Sequence, residues 1–248
     1  MGSNPSLSAI YTLMNKQNFY RSKYQTLNPH WRESSQIYHD LILENTNKNT
    51  HILDVGCGHS TLLIDVYQKT PHTYGIDPDL NAINRNTYIK NVEKCFVEKM
   101  PFKDNFFDIV VCAWVLEHLT DPIASFKEIH RVLKPGGKVV FLTPNIWNYN
   151  VWIIRLIPEK FHDFFTKKLY GRQEHDTFSK QYKVNSPKRV EEILSDTGFK
   201  KEKLIVNGDP SYISFDEVTF LFAILIEKIL NLKPFKKGKV HLIGVYRK

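Results

Sequence analysis

Short apolar runs alternate with segments of helical spacing from about residue 51 to the end of the chain. Seven of these runs predict β-strands, and the run 107–114, apolar except for Asp108, is typical of the centre of a parallel sheet. The pattern predicts an α/β fold, a doubly wound, mostly parallel, seven-stranded sheet of Rossmann-like type. The predicted strands are 51–55, 73–76, 95–97, 107–114, 138–143, 203–206 and 240–246.

Helices are predicted between the strands. Pro135-Gly136-Gly137 is expected to end the helix 121–133, because proline lacks an amide donor and glycine tolerates a positive φ. Ser186 has the position of an N-cap and Pro187 that of a first helical residue. The other predicted helices are 61–68, a segment from Leu80 onward, 186–197 and 215–232.

Two stretches interrupt this alternation. Residues 145–185 are rich in aromatic side chains and histidine and lack a clean period, and residues 207–236 contain a long apolar segment. We therefore predict an N-terminal helical segment over 1–45 and a single domain over 46–248, with helical and aromatic cap insertions at about 145–185 and 207–236.

Composition narrows the class of protein. With 42% apolar and 24% charged residues, the chain is too apolar to be disordered. Three cysteines without a C-x-x-C pair give no disulfide framework and predict a reducing, cytoplasmic compartment. The longest largely apolar run, the nine residues 218–226, is far shorter than the roughly 20 residues of a bilayer span, so we expect no transmembrane helix.

The net charge of +8 is concentrated in the last third of the chain, where residues 151–248 hold 19 basic and 12 acidic side chains. This excess suits an anionic partner such as a membrane surface, a phosphorylated substrate or nucleic acid, or else a solvated basic face. Apolar stretches at 151–157 and 215–232 are each followed by lysines. They either pack together as a lid or lie at a lipid interface, so we expect at most salt-sensitive peripheral membrane contact.

The central chemical signal is a glycine-rich turn between the first strand and the following helix. Its sequence is Asp54-Val55-Gly56-Cys57-Gly58, in which glycines let a ligand approach the backbone and the helix start offers amide donors. Asp77 ends the next strand, where a carboxylate can accept both hydroxyls of a ribose. Together they predict a nucleoside bound across the carboxyl ends of the first two strands. A dinucleotide fingerprint would need a third glycine where Thr61 stands.

Three further segments accompany this turn at ordered spacing: Met-Pro-Phe-x-Asp-x-x-Phe-Asp at 100–108, Leu-Glu-His-Leu at 116–119 and Arg-Val-Leu-Lys-Pro-Gly-Gly at 131–137. With the turn, they resemble class I S-adenosylmethionine-dependent methyltransferases, in particular the small-molecule group that includes ubiquinone-pathway O-methyltransferases. The resemblance covers about residues 51–145 and, more weakly, 175–199. It implies S-adenosylmethionine as the cofactor and methyl transfer to a small-molecule acceptor.

The resemblance also implies roles for individual positions. Asp54, Gly56 and Gly58 match the acid and glycines that surround the methionine end of the cofactor, and Asp77 matches the acid that holds the ribose diol. Pro78 matches a residue that borders the adenine, the backbone near Val97 contacts the adenine edge, and Ala113 faces the methionine part. Two positions depart from the family pattern: Ser60 replaces a glycine, and Phe96 stands where many members have an acid for the adenine amine. The implied cofactor-binding residues are Asp54, Gly56, Gly58, Asp77, Pro78, Val97 and Ala113.

Two histidines are candidate catalytic bases. His118 follows the fourth strand, near the expected position of the methyl group, and histidine is the natural base near neutral pH. His175 lies in a Glu-His-Asp segment that faintly resembles the His-Asp of the same enzymes. For each, a purely structural role is the alternative. Some relatives bind a divalent metal through Glu-x-x-Glu-His, but Trp114 replaces the first glutamate, so no metal is predicted.

The sequence favours methyl transfer to a hydroxyl of a small acceptor, which is hydrophobic or linked to a lipid or glycan. Two alternatives remain: a non-catalytic S-adenosylmethionine-binding module of the same fold, and an NAD-binding oxidoreductase, which the Thr61 position disfavours. No Asn-Pro-Pro-Tyr motif follows the fourth strand, so a nucleic-acid substrate is not indicated. The oligomeric state is left open.

Overall fold

The structure is a computed structural model that describes residues 7–149 and 179–248. Helices and strands alternate along the chain much as the apolar pattern predicts. The helices are α1 Leu7–Leu27, α2 Ser34–Leu43, α3 Ile64–Lys69, α4 Leu80–Arg85, α5 Pro122–Val132, α6 Pro187–Asp196 and α7 Glu217–Leu230. The strands are β1 Ile52–Val55, β2 Thr73–Asp77, β3 Asn91–Lys94, β4 Phe107–Ala113, β5 Leu133–Pro144, β6 Lys200–Asn207 and β7 His241–Arg247.

The described strands form one seven-stranded sheet in the order β3-β2-β1-β4-β5-β7-β6. The pairs β1–β2, β1–β4, β2–β3 and β4–β5 are parallel. Strand β7 runs antiparallel to β5, since the Lys248 amide donates to the Gly137 carbonyl at 2.9 Å while the Asn145 amide donates to the Val240 carbonyl at 2.8 Å. The predicted doubly wound, mostly parallel, seven-stranded α/β fold is therefore confirmed.

Burial explains why β4 is the most apolar strand. It is paired on both sides, and residues Ile109, Val110, Val111 and Cys112 are each at most 2% exposed. When both faces of a strand are covered, neither set of alternating side chains faces solvent, so successive residues are apolar instead of alternating with polar ones.

Local capping residues define the helices beside the sheet. The Asp121 carboxylate accepts from the Ala124 amide at 3.0 Å at the start of α5, and the Ser186 hydroxyl accepts from the Arg189 amide at 3.3 Å at the start of α6. The N-cap predicted at Ser186 is confirmed, with Pro187 as the first helical residue.

Two predicted boundaries are wrong. The third strand is β3, Asn91–Lys94, and 95–97 follows it; as an edge strand paired only with β2, β3 carries exposed polar side chains and lacks an apolar run. Residues 135–137 do not form a stop after α5. The chain passes from Val132 directly into β5 at Leu133, and the glycines lie within that strand beside a register shift against β4.

The chain divides into two compact units. The larger comprises Ser34–Pro144, Ser179–Ile205 and Leu242–Lys248 and contains most of the sheet; the smaller comprises Met1–Glu33, Asn145–Phe178 and Val206–His241. None of the helices in the described ranges combines the length and hydropathy that a membrane span requires.

Candidate cofactor site at the carboxyl ends of the parallel strands

The strand order reverses between β1 and β4, and such a switch point is where open α/β sheets bind ligands. Val55 of β1 is in register with Ile76 of β2 on one side and with Cys112 of β4 on the other. The residues that follow these three positions therefore emerge at the same edge of the sheet. This edge brings the predicted residues of the glycine turn, Asp77 and Ala113 together.

The two glycines of the turn have different environments. Gly56 has a φ of 70°, its amide donates to the Ile76 carbonyl at 2.8 Å, and a Cβ atom there would lie 2.4 Å from Cγ2 of Val115. Gly58 has a φ of 50°, and a Cβ atom there would meet no protein atom within 4 Å. Packing and backbone conformation both require glycine at position 56, whereas position 58 leaves open space beside the backbone.

Asp77 is buried and held in one orientation. Its Oδ2 accepts from the Gly58 amide at 2.9 Å and its Oδ1 accepts from the Asp79 amide at 2.8 Å. Because a carboxylate has about four acceptor positions, two amide donors leave it able to accept two further hydrogen bonds. The side chain is thus preorganised for a ligand with two neighbouring hydroxyls.

Asn86, which the sequence reasoning missed, fixes the glycine turn from the other side. Its Nδ2 donates to the Gly58 carbonyl at 2.8 Å, while its Oδ1 accepts from the amides of Tyr88 and Ile89, both at 3.0 Å. Asn86 is the C-cap of α4 and has an extended backbone. Asparagine is a frequent turn residue because its side chain bonds the backbone two residues on, so its place after the predicted helix is the signal that could have found it.

Asp54 is a buried acid with a perturbed pKa. Burial raises its pKa to about 7, with a further rise from the charge of Asp77, while the hydrogen bond from the Tyr67 hydroxyl acts in the opposite direction. The Tyr67 oxygen lies 2.5 Å from Oδ2 of Asp54. Tyr67 is a second contributor that the sequence reasoning did not single out.

The residues implied for the adenine side lie along the same edge. Pro78 directly follows Asp77 and is half-buried, and Val97 is buried three residues past the end of β3. Phe96 is 65% exposed and Leu80, at the start of α4, is 49% exposed. Apolar surface is therefore available where a flat aromatic ring would need it.

His118 ends a single 3₁₀ turn, Leu116–His118, which begins three residues after Ala113. Ala113 is half-buried at the end of β4. The His118 Nδ1 lies 3.4 Å from the Ser179 carbonyl oxygen, which can only accept. A hydrogen bond there places the proton on Nδ1 and leaves Nε2 as the basic nitrogen.

Glu117, considered from the sequence only as an incomplete metal ligand, is part of a buried polar network. Its Oε2 accepts from the Thr143 hydroxyl at 3.0 Å, and Asn185 Nδ2 donates to that hydroxyl oxygen at 2.6 Å. The Glu117 carbonyl accepts from the Gln181 amide at 2.7 Å, which ties the segment after residue 179 to the 3₁₀ turn. Within the described ranges, no three His, Cys, Asp or Glu side chains are grouped to hold a metal ion.

A family model described as a methyltransferase domain matches residues 28–204, well over half of the chain and including every described residue of this site. The chain belongs to the methyltransferase domain family. The family predicted from the ordered motifs is therefore confirmed.

Curated relatives of this methyltransferase domain chain include the demethylmenaquinone methyltransferase of Chlorobaculum tepidum, 33% identical over 60% of this chain and 65% of the relative. The ubiquinone biosynthesis O-methyltransferase of Pseudomonas fluorescens is 30% identical over 52% of this chain and 62% of the relative. The chain thus spans less than two thirds of the length of either.

A solved S-adenosylmethionine-dependent methyltransferase from Mesorhizobium loti shares the fold, with a TM-score of 0.58 over 87% of this chain and 98% of that one, at 15% identity. This likeness supports the class I methyltransferase architecture of the sheet. Of the sequence-predicted site residues, His175 alone lies outside the residues that the structure describes.

Proposed function

We propose that this methyltransferase domain binds S-adenosylmethionine across the carboxyl ends of β1 and β2 and transfers its methyl group to a small-molecule acceptor. The observation that carries the proposal is the Asp77 carboxylate, which two backbone amides hold in place with acceptor positions to spare. A ribose diol is the ligand group that such a carboxylate suits at this edge of a doubly wound sheet.

The glycine turn would hold the methionine end of the cofactor. The open space beside Gly58 accommodates a ligand against the backbone, and Asp54 supplies a carboxylate for the ammonium group. An ammonium ion nearby favours the charged form of that acid, so binding should lower the raised pKa of Asp54. Pro78, the backbone near Val97 and Ala113 complete the proposed contacts.

Bound S-adenosylmethionine supplies a methyl group on a positively charged sulfur. The protein then has to align the acceptor and, for a hydroxyl, remove its proton. His118 is proposed as the base through Nε2, because the Ser179 carbonyl favours the proton on Nδ1. His175 is the second candidate for the same role.

The acceptor is proposed to be a hydrophobic, ring-bearing small molecule that is methylated at a hydroxyl. Two large exposed apolar side chains, Leu62 after β1 and Trp114 after β4, flank the end of the site where the methyl group is expected, which favours an apolar ligand. Two relatives carry quinone-pathway names, which points the same way.

A cytoplasmic role in small-molecule biosynthesis belongs to the same proposal. All three cysteines, Cys57, Cys95 and Cys112, are free thiols, which suits a reducing compartment.

A turnover screen tests the proposal. Purified protein and S-adenosylmethionine are incubated with hydroquinones, catechols, sugar alcohols and amines, and release of S-adenosylhomocysteine is measured. We expect release with a catechol or hydroquinone and, at sub-saturating S-adenosylmethionine, much slower release with the Asp77→Ala variant. Cofactor binding without release for any acceptor class would favour the non-catalytic module, and thermal stabilisation by NAD but not by S-adenosylmethionine would favour the oxidoreductase.

A further inference from the structure

Helix α7 of the smaller unit is apolar on two opposite faces. One face is buried: Phe220 packs on Tyr20 and Tyr24, and Ala223 and Leu230 belong to a second apolar cluster. The opposite face is exposed, although the spacing of its side chains, every three or four residues, is that of a packed helix face. Its members, between 44% and 78% exposed, are Val218, Leu221, Phe222, Leu225 and Ile229.

The exposed apolar surface continues beyond the helix and gains positive charge. Leu232 and Phe235 are 57% and 51% exposed in the segment that follows α7. Four exposed lysines accompany this surface, and none of them forms an ion pair with a described residue. Lys228 lies in the last turn of α7, and Lys233, Lys236 and Lys237 follow the helix.

Among the residues that the structure describes, no acidic side chain pairs with the four lysines at this end of the helix. Asp216 caps the opposite end, where its carboxylate accepts from the Thr219 amide, and Glu217 pairs with Lys23. Glu227 points the other way and is buried. The helix therefore presents a face of bulky apolar groups that ends in a cluster of positive charge.

We propose that this face of α7, with the lysines that follow it, is a docking surface for an anionic lipid bilayer. Large apolar side chains beside lysines suit the boundary between acyl chains and phosphate groups, where each lysine adds attraction to an anionic surface. A neutral protein partner would match the apolar residues but leave four positive charges without complement. The proposal does not depend on the cofactor site.

The dimensions of α7 fit a helix that lies in the plane of the membrane surface. Its 14 residues extend about 21 Å at the α-helical rise, less than the roughly 30 Å of a hydrocarbon core. Because the opposite face is committed to the protein's own apolar clusters, only the exposed face is available to lipid.

Vesicle co-sedimentation tests this surface with the full chain. Vesicles of pure phosphatidylcholine are compared with strongly anionic vesicles that contain about 40% phosphatidylglycerol. Both kinds are measured at low and at high salt. We expect binding to the anionic vesicles only, and its loss at high salt. Lys233→Glu/Lys236→Glu/Lys237→Glu should lower partitioning by at least about 100-fold, and Phe222→Ser/Leu225→Ser by about 10-fold.

A control variant with the same net charge tests whether vesicle binding depends on this surface or only on the total charge of the protein. Lys69, Lys90 and Lys103 are exposed in the larger unit, so Lys69→Glu/Lys90→Glu/Lys103→Glu makes the same change of net charge elsewhere. This control should keep most of the binding, and all variants should retain wild-type affinity for S-adenosylmethionine.

Three results would overturn the proposal: equal binding to neutral vesicles, no binding to anionic vesicles at low salt, or an equal loss in the control. A dimer in sedimentation velocity that Phe222→Ser/Leu225→Ser dissociates would also overturn it, since a second copy would then occupy the face.

Discussion

Replacing Gly56 by alanine should destabilise the protein more than the same change at Gly58, although both glycines have a positive φ. At position 58 the new methyl group meets no protein atom within 4 Å, so the backbone conformation is the only cost. At position 56 the methyl group would also lie 2.4 Å from Cγ2 of Val115. Valine has a stiff χ1, so this methyl cannot swing away without moving the chain that leads to His118.

The expected magnitudes follow from these two costs. A left-handed conformation costs a residue with a Cβ atom about 1–2 kcal/mol, which is the expected loss for Gly58→Ala. Overpacking adds about 1–3 kcal/mol, so Gly56→Ala should lose about 2–5 kcal/mol. The double variant Gly56→Ala/Val115→Ala removes the obstructing methyl group and should recover most of the added loss.

Urea unfolding of the ligand-free variants measures these differences directly, with the midpoint and the slope fitted together. The reasoning predicts the order wild type, Gly58→Ala, Gly56→Ala in decreasing stability, and coupling between positions 56 and 115. Equal stability of the two alanine variants, or no recovery in the double variant, would refute the packing of Val115 against the glycine turn.

Three further predictions concern the carboxylates and the proposed base. Asp77→Ala should weaken S-adenosylmethionine binding by about 1.5–3 kcal/mol in calorimetry, because hydrogen bonds to a charged group are lost. The control is Asp79→Ala, which removes a carboxylate that only caps α4 and should keep the affinity. His118→Ala should lower kcat by about 10²–10⁴-fold at unchanged cofactor affinity, whereas His72→Ala, at the amino end of β2, should not. Asp54→Asn should stabilise the ligand-free protein at pH 8 while weakening cofactor binding, as unfolding and calorimetry would show.

The pH dependence of the Asp54→Asn effect follows from the raised pKa of Asp54. Its carboxyl has a pKa of about 7 in the folded protein against an ordinary pKa of 3.8, so between these pH values the folded state holds a proton that the unfolded state has released. Wild-type stability therefore falls as the pH rises through this window. The gain from asparagine should be absent below about pH 4 and reach up to about 4 kcal/mol above pH 7, at about 1.36 kcal/mol per pKa unit. A gain that is constant with pH would contradict the raised pKa of this buried carboxyl.

The parts of the fold that the sequence predicted well are those governed by local patterns. The apolar run of β4 reflects burial on both faces of the strand, and it is visible in the sequence of the strand itself. The helix start at Ser186 depends on one hydroxyl group followed by a proline, which is also a local signal. Strand β3 could not be found in this way, because an edge strand with exposed polar side chains lacks an apolar signal. Its position is determined by pairing with β2, a long-range contact.

The site shows the same division. The acids and glycines at the carboxyl ends of β1 and β2 have recognisable spacing, whereas Tyr67 and Asn86 support them from neighbouring elements. These two contacts depend on how α3 and α4 pack beside the turn, and a single sequence does not specify that packing. The buried hydrogen bond of Glu117 could not be predicted either, since only the structure shows that the Thr143 hydroxyl donates to its carboxylate.

A crystal structure of the protein with S-adenosylhomocysteine would show whether the carboxyl ends of β1 and β2 bind the cofactor. We expect both ribose hydroxyls within hydrogen-bond distance of the Asp77 carboxylate, the methionine end against Gly56 and Gly58, and the sulfur directed toward the 3₁₀ turn that ends at His118. A ligand bound elsewhere, or bound here with its ribose away from Asp77, would contradict the assignment of this edge of the sheet as the cofactor site.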